Sequence, residues 1–177
     1  MQATLPLLLE HGTAVTTRQI AEAAGIAEGT IFRVFPDKES LIEAVVEAAF
    51  DPTPFEADLG RIPLHLPLPE RLERAVELLQ RRIASLGRLM AAAGITRPPG
   101  VAAATVHRRP ATSVESIARL FVPEQAQLRR SPIESAALLR AMTFAGTHPM
   151  MVDEPTLPAE IVDVVLHGIF VGEVLPC

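Results

Sequence analysis

The chain has 177 residues, with 16 Lys and Arg against 21 Asp and Glu for a formal net charge of −5, and 49% of its residues are hydrophobic. That apolar share suffices for a core and excludes disorder throughout. The single cysteine, Cys177, excludes an internal disulfide and a cysteine-based zinc site. No apolar run approaches the ~20 residues needed to span a bilayer, and MQATLPLLLEHG lacks a signal peptide's basic segment and cleavage site. The expected protein is globular and cytoplasmic, with no membrane partner.

Helical periodicity dominates, so the predicted class is all-α. An apolar stretch, Ala3 to Glu10, ends at His11-Gly12, with glycine placed as after a helix C-terminus. Thr16 and Gln19 form a capping box that opens a helix over Thr17 to Ala24, closed by Gly25. A second short helix is expected from Glu28 to Val34, ended by Pro36. A third, capped by Asp37, is expected from Lys38 to about Phe50. Residues 51–68 carry Pro52, Pro54, Pro63 and Pro67 without an apolar stripe and read as a joint.

A long amphipathic helix is predicted over Pro69 to Ala93, with Leu72, Val76, Leu79, Ile83, Leu86 and Met90 on one face. Arg71, Arg74, Arg81, Arg82 and Arg88 on the other face read as solvated, paired with Glu70, Glu73 and Glu77. Residues 94–110 read as a loop. Thr112 and Glu115 form a capping box before a helix to about Phe121, followed by a short segment from Glu124 to Arg129. Ser131-Pro132-Ile133-Glu134 combines three start signals for a helix to about Thr147. A last helix is expected from Pro158 to about Val171.

The informative stretch is Thr16 to Leu41, TTRQIAEAAGIAEGTIFRVFPDKESL. Two short helices joined by Gly25-Ile26-Ala27 match a helix-turn-helix; a purely structural helical hairpin is the alternative. Ile20, Ala21, Ala24, Ile26, Ile31 and Phe35 are the candidate packing residues, with Ala21 and Gly29 small enough for close approach. The exposed side of the second helix suits a DNA major groove.

These residues resemble the DNA-binding domain of the TetR family of bacterial transcriptional regulators. The likeness lies in LLLEHG, T-T-x-x-Q-I-A-x-x-A-G-I, G-T-I-F-R-x-F and P-x-K-E-x-L, within residues 1–50. It implies a three-helix DNA-binding domain over residues 1–50 and a helical effector-binding and dimerisation domain over 51–177. It further implies a homodimer on a palindromic operator of double-stranded DNA, usually as a repressor, with a small and apolar effector. By position, Thr17 and Arg18 fall where the first motif helix meets the DNA backbone. Gly29, Thr30 and Arg33 match the reading helix. Phe32 takes the place of a common tyrosine whose hydroxyl bonds phosphate, and Lys38 matches a phosphate-contacting lysine.

The sequence departs from the family pattern in Phe32, in Ala27 at the usual serine cap (a loss of ~1 kcal/mol) and in Glu28, which replaces a frequent lysine. Residues 1–50 also hold three basic groups (Arg18, Arg33, Lys38) against seven acidic ones (Glu10, Glu22, Glu28, Asp37, Glu39, Glu43, Glu47), a net charge of −4. Phosphate neutralisation drives much of DNA affinity. The family's basic leading arm and longer first helix raise the expectation that Met1 is an internal start or a truncation. The other reading is a chain that starts here and binds DNA weakly, or a ligand-binding protein that keeps the fold without DNA affinity.

Catalysis leaves no signature: there is no G-x-S-x-G elbow, P-loop or dinucleotide fingerprint, so no enzyme and no cofactor is expected. Among the histidines, Asp163 and His167 at i,i+4 read as a surface ion pair rather than a metal site. Leu86, Met90, Phe121, Met142, Thr143, Phe144 and His148 are the candidate effector residues, though each apolar one alone reads as ordinary core. The last two helices are apolar around much of their axes, which points to a four-helix dimer interface. Its candidate residues are Leu138, Ala141, Ala145, Val162, Val165, Leu166 and Ile169. A buried central helix in a monomer is the alternative.

Overall fold

The computed structural model describes residues 3–96 and 112–169, and among these the structure is helical, with no β-strand. The helices are α1 (Thr4–His11), α2 (Thr17–Ala24), α3 (Glu28–Phe32), α4 (Lys38–Ala49), α5 (Thr53–Gly60), α6 (Leu68–Ala93), α7 (Thr112–Ala118), α8 (Pro132–Ala145) and α9 (Pro158–Ile169). Short 3-10 segments follow α1 (Gly12–Ala14) and α7 (Arg119–Gln127). The chain divides into two compact units: residues 1–51 with 85–107, and residues 52–84 with 108–177.

The first unit is organised by local signals. The Thr16–Gln19 capping box forms in both directions, and α2 ends at Gly25 with φ +67°. Gly25 N–H bonds the Glu22 carbonyl and Ile26 N–H the Ala21 carbonyl, at 3.1 and 3.0 Å, which satisfies the last carbonyls of α2 and redirects the chain. Asp37 caps α4 by accepting from Ser40 N–H at 2.7 Å. Leu8, Val15, Ile20, Ala21, Ile31, Leu41, Ile42, Val45 and Val46 form the core, joined by Leu89 and Ala93 from the end of α6. Ala24 and Ile26, expected among the packing contacts, are exposed, because the turn at Gly25 lifts them off the core. A Cβ on Gly29 would meet nothing within 4 Å, so its small size serves no close helix approach.

In the second unit, the predicted joint contains α5. Its prolines fall at Pro52 and Pro54, the helix start, where a missing N–H costs nothing. Phe55 and Leu59, four residues apart, enter a core with Leu72, Val76, Leu79, Ile117, Leu120, Phe121, Ala136, Leu139, Ile161, Val162 and Val165. Arg119 donates to the Leu59 carbonyl at 2.7 Å, closing the C-terminal end of α5. Arg71 is not solvated as expected: it is 1% exposed and paired with Glu124. The Ser131–Glu134 capping box starts α8, with Pro132 in the first turn. The Thr112 cap, most of the 94–110 loop and the extension to Val171 lie outside the described residues.

Candidate nucleic-acid interface

The two short helices of the first unit present a defined outer face. Ile31 is 5% exposed and anchors α3, while Glu28, Gly29, Thr30 and Arg33 are exposed and Phe32 is half out at 50%. Arg18 is exposed on α2 beside half-buried Thr17. Ile26, at 44% exposure, adds apolar surface beside Arg18 and Glu28 that sequence reasoning did not assign, and Val34, after α3, is 70% exposed. Their signal was available, since the turn and the short α3 leave little core to cover them.

Two expected DNA contacts have partners within the chain. Thr17 Oγ1 donates to Glu28 Oε1 at 2.5 Å, linking α2 to the first residue of α3. Lys38 Nζ donates to the Thr13 carbonyl at 2.8 Å, which holds the start of α4 to the turn after α1. A lysine ammonium has three donors, so this bond leaves capacity for a phosphate. Arg18, Ala21, Glu22, Ile26 and Glu28 line a shallow depression of about 360 Å³ on this head. Ala27, the N-cap of α3, makes no side-chain capping bond.

The candidate effector residues divide between the two units. Leu86 and Met90, both half-buried, belong to the first unit and the other five to the second. Phe121 is fully buried in the core, and buried Thr143 donates its hydroxyl to the Leu139 carbonyl at 2.7 Å. Met142 and Phe144 are 39% and 46% exposed. The His148 ring lies 4.8 Å from that of Phe144, and its Nδ1 accepts from Met150 N–H at 3.3 Å. An open depression of about 660 Å³ lies elsewhere in this unit, lined by Pro69, Glu73, Ala159, Glu160, Val162, Asp163, Val164 and Leu166.

The candidate dimer residues divide by helix. On α8, Leu138 (40%), Ala141 and Ala145 are exposed, and Met142, four residues after Leu138, is exposed on the same face. On α9, Val162 and Val165 are only 2% and 4% exposed and pack in the core of their own unit. Leu166 is half-buried, and the Ile169 side chain lies outside the described residues. Outward on α9 stand Val164, at 56% exposure, and an Asp163–His167 pair at 3.2 Å.

With this geometry in place, the comparisons with known proteins are specific for the first unit. The model of the family described as bacterial regulatory proteins, tetR family, matches residues 1–45. The N-terminal segment is a TetR-family domain. The uncharacterized HTH-type transcriptional regulator YvkB of Bacillus subtilis (strain 168) is 45% identical over 47 residues, 26% of this chain and 25% of that protein. The match thus spans about a quarter of that relative's length. A crystal structure of a protein described as a TetR-family regulator from Mesorhizobium loti MAFF303099 has a TM-score of 0.66 at 20% identity, covering 96% of this chain and 94% of that one. The Flavonoid-responsive Regulator FrrA gives a TM-score of 0.57 at 21% identity, over 96% and 94%. At these identities the likeness shows the fold alone, an N-terminal helix-turn-helix followed by a helical second unit.

The head is acidic, with three basic groups against seven acidic ones in residues 1–50. The cations Arg18 and Arg33 share the outer face with Glu22 and Glu28. Among the described residues no cluster of three or more metal-ligating side chains occurs, and no helix is long and apolar enough to cross a membrane.

Proposed function

We propose that the chain is a DNA-binding transcriptional regulator that acts as a homodimer and is modulated by a small molecule. The observation that carries this reading is the outer face of α3, where Glu28, Gly29, Thr30, Phe32 and Arg33 project while Ile31 alone is buried. A helix held by one buried residue and exposed elsewhere suits a major groove about 12 Å wide. Thr17, Arg18 and Lys38 flank it as backbone contacts. The acidic head shifts weight from phosphate neutralisation toward base contacts, so the salt dependence of binding is shallow.

The exposed Leu138 and Met142, four residues apart on α8 and flanked by small Ala141 and Ala145, support a self-complementary interface through this helix. Division into residues 1–50 for DNA and 51–177 for effector and partner remains the domain assignment. Repression, released by an apolar effector, is the regulatory mode. A structural neighbour named as flavonoid-responsive supports an aromatic small-molecule effector. Ring-paired Phe144 and His148, with exposed Met142 on α8, are the contacts favoured in the second unit. Effector binding alters affinity only if it prefers one spacing of the two heads.

A gel shift with the full-length chain and duplex DNA from upstream of its own gene tests the reading. Retarded bands that resist excess scrambled duplex support it, and their absence refutes it. The second reading, a helical ligand-binding protein without DNA affinity, is favoured by Phe32, which has no hydroxyl for phosphate, and by the net charge of −4 in residues 1–50. The same gel shift decides between the two.

A further inference from the structure

We propose that Glu28 is a base-reading residue selective for an exocyclic amino group, cytosine N4 foremost, and that Thr17 is its positioning residue. This rests on the proposed entry of α3 into the major groove. In helix-turn-helix proteins the first residues of the second helix meet base edges, and Glu28 is the first residue of α3 and exposed. An ionised carboxylate accepts hydrogen bonds and donates none.

The structure prepares that carboxylate for one task. Thr17 Oγ1 donates to Glu28 Oε1 at 2.5 Å across the turn, a separation of 11 residues. Among the described residues Glu28 takes its side-chain bond on Oε1 and none on Oε2, so that oxygen is left to accept from a ligand. A free glutamate loses rotamer freedom when it docks; the Thr17 bond has removed much of it beforehand. Arg18 lines the same depression as Glu28, so the carboxylate approaches the duplex beside a cation.

Groove chemistry then ranks the bases. Guanine offers N7 and O6, and thymine O4; all are acceptors that repel a carboxylate. Adenine offers the N6 donor with the N7 acceptor beside it. Cytosine offers only the N4 donor at its edge, so it ranks first, adenine second, and guanine and thymine last.

Selection of randomised duplexes by the purified full-length chain, followed by competition binding, tests the assignment. The wild type should enrich a motif with one cytosine position per half-site, favoured about 10-fold over guanine or thymine. Glu28→Ala should flatten that position alone, and Glu28→Gln should convert it to adenine, which glutamine bonds through N6 and N7. Thr17→Val should reduce the preference toward the alanine variant's, and Thr17→Ser should restore it. An unchanged cytosine preference in Glu28→Ala overturns the role of Glu28 while leaving DNA reading intact. Full preference in Thr17→Val overturns the positioning role. A wild type that enriches no sequence removes the proposed function itself, and this inference with it.

Discussion

The Arg71 guanidinium, 1% exposed, meets the Glu124 carboxylate and donates to the Leu64 carbonyl at 2.5 Å. One side chain thereby ties the start of α6 to the 3-10 segment 53 residues later. Its Nε is buried and has no partner among the described residues, so the guanidinium depends on these two bonds. Removing one member of a buried pair strands the other. Glu124→Ala should therefore destabilise by about 3 kcal/mol, whereas Arg71→Met with Glu124→Leu should lie within roughly 1 kcal/mol of wild type. Urea unfolding of the three proteins checks this; equal losses in single and double variants would contradict it.

Leu138 and Leu139 separate two roles of α8. Leu139 is fully buried, and Leu139→Ala should cost about 2–5 kcal/mol. Leu138 is 40% exposed, so Leu138→Glu should leave helix content intact and shift the proposed dimer to monomer. Sedimentation equilibrium reads the second effect. A Leu138→Glu protein of unchanged mass would remove α8 from the interface.

Gly25 and Gly29 should respond oppositely to alanine. A Cβ at Gly25 meets nothing within 4 Å, but φ is +67°, so the penalty is conformational, about 1 kcal/mol. Gly29 lies inside α3 with open space around it, so Gly29→Ala should raise stability by several tenths of a kcal/mol, roughly half the full helix-propensity gain. The same methyl on the outer face should weaken operator binding. Thermal melts with a binding titration check both; a stable Gly29→Ala protein of undiminished affinity would remove Gly29 from the reading face.

Much of the first unit was legible because its signals are local. The Thr16–Gln19 box, Gly25 in the left-handed region and the Asp37 cap each act within four residues, and α2 spans the predicted Thr17–Ala24. Helix α5 was hidden because prolines that break a helix interior are tolerated in its first turn, and only Phe55 and Leu59 mark its inner face. The burial of Arg71 was invisible because Glu124 is distant in sequence. The Thr17–Glu28 bond was hidden for the same reason, since it forms only after Gly25 folds α3 against α2. On α9, apolar residues around the axis suggested two buried faces. The structure assigns Val162 and Val165 to the unit's own core and turns Val164 outward.

Hydrogen bonds from Ser40, the side-chain bond first and the backbone bond second, hold the Asp37 carboxyl below its usual value of 3.8. A carboxylate with a lowered folded-state pKa stabilises above its unfolded value and loses that contribution as pH falls through the folded one. The stability difference between wild type and Asp37→Asn should be constant above about pH 5 and shrink in favour of the variant below about pH 4. Parallel melting curves at pH 3 and pH 7 would contradict the cap's ionic character.

Fluorescence anisotropy of full-length wild type and Arg33→Ala on duplex from upstream of the gene, at physiological salt and with molar mass measured in parallel, reads whether α3 is the DNA-reading element. Arg33 is exposed at the end of α3 and supports no core contact. Arg33→Ala should keep the wild-type mass and lose specific binding. Undiminished binding by that variant, or none by the wild type, would contradict that role of α3.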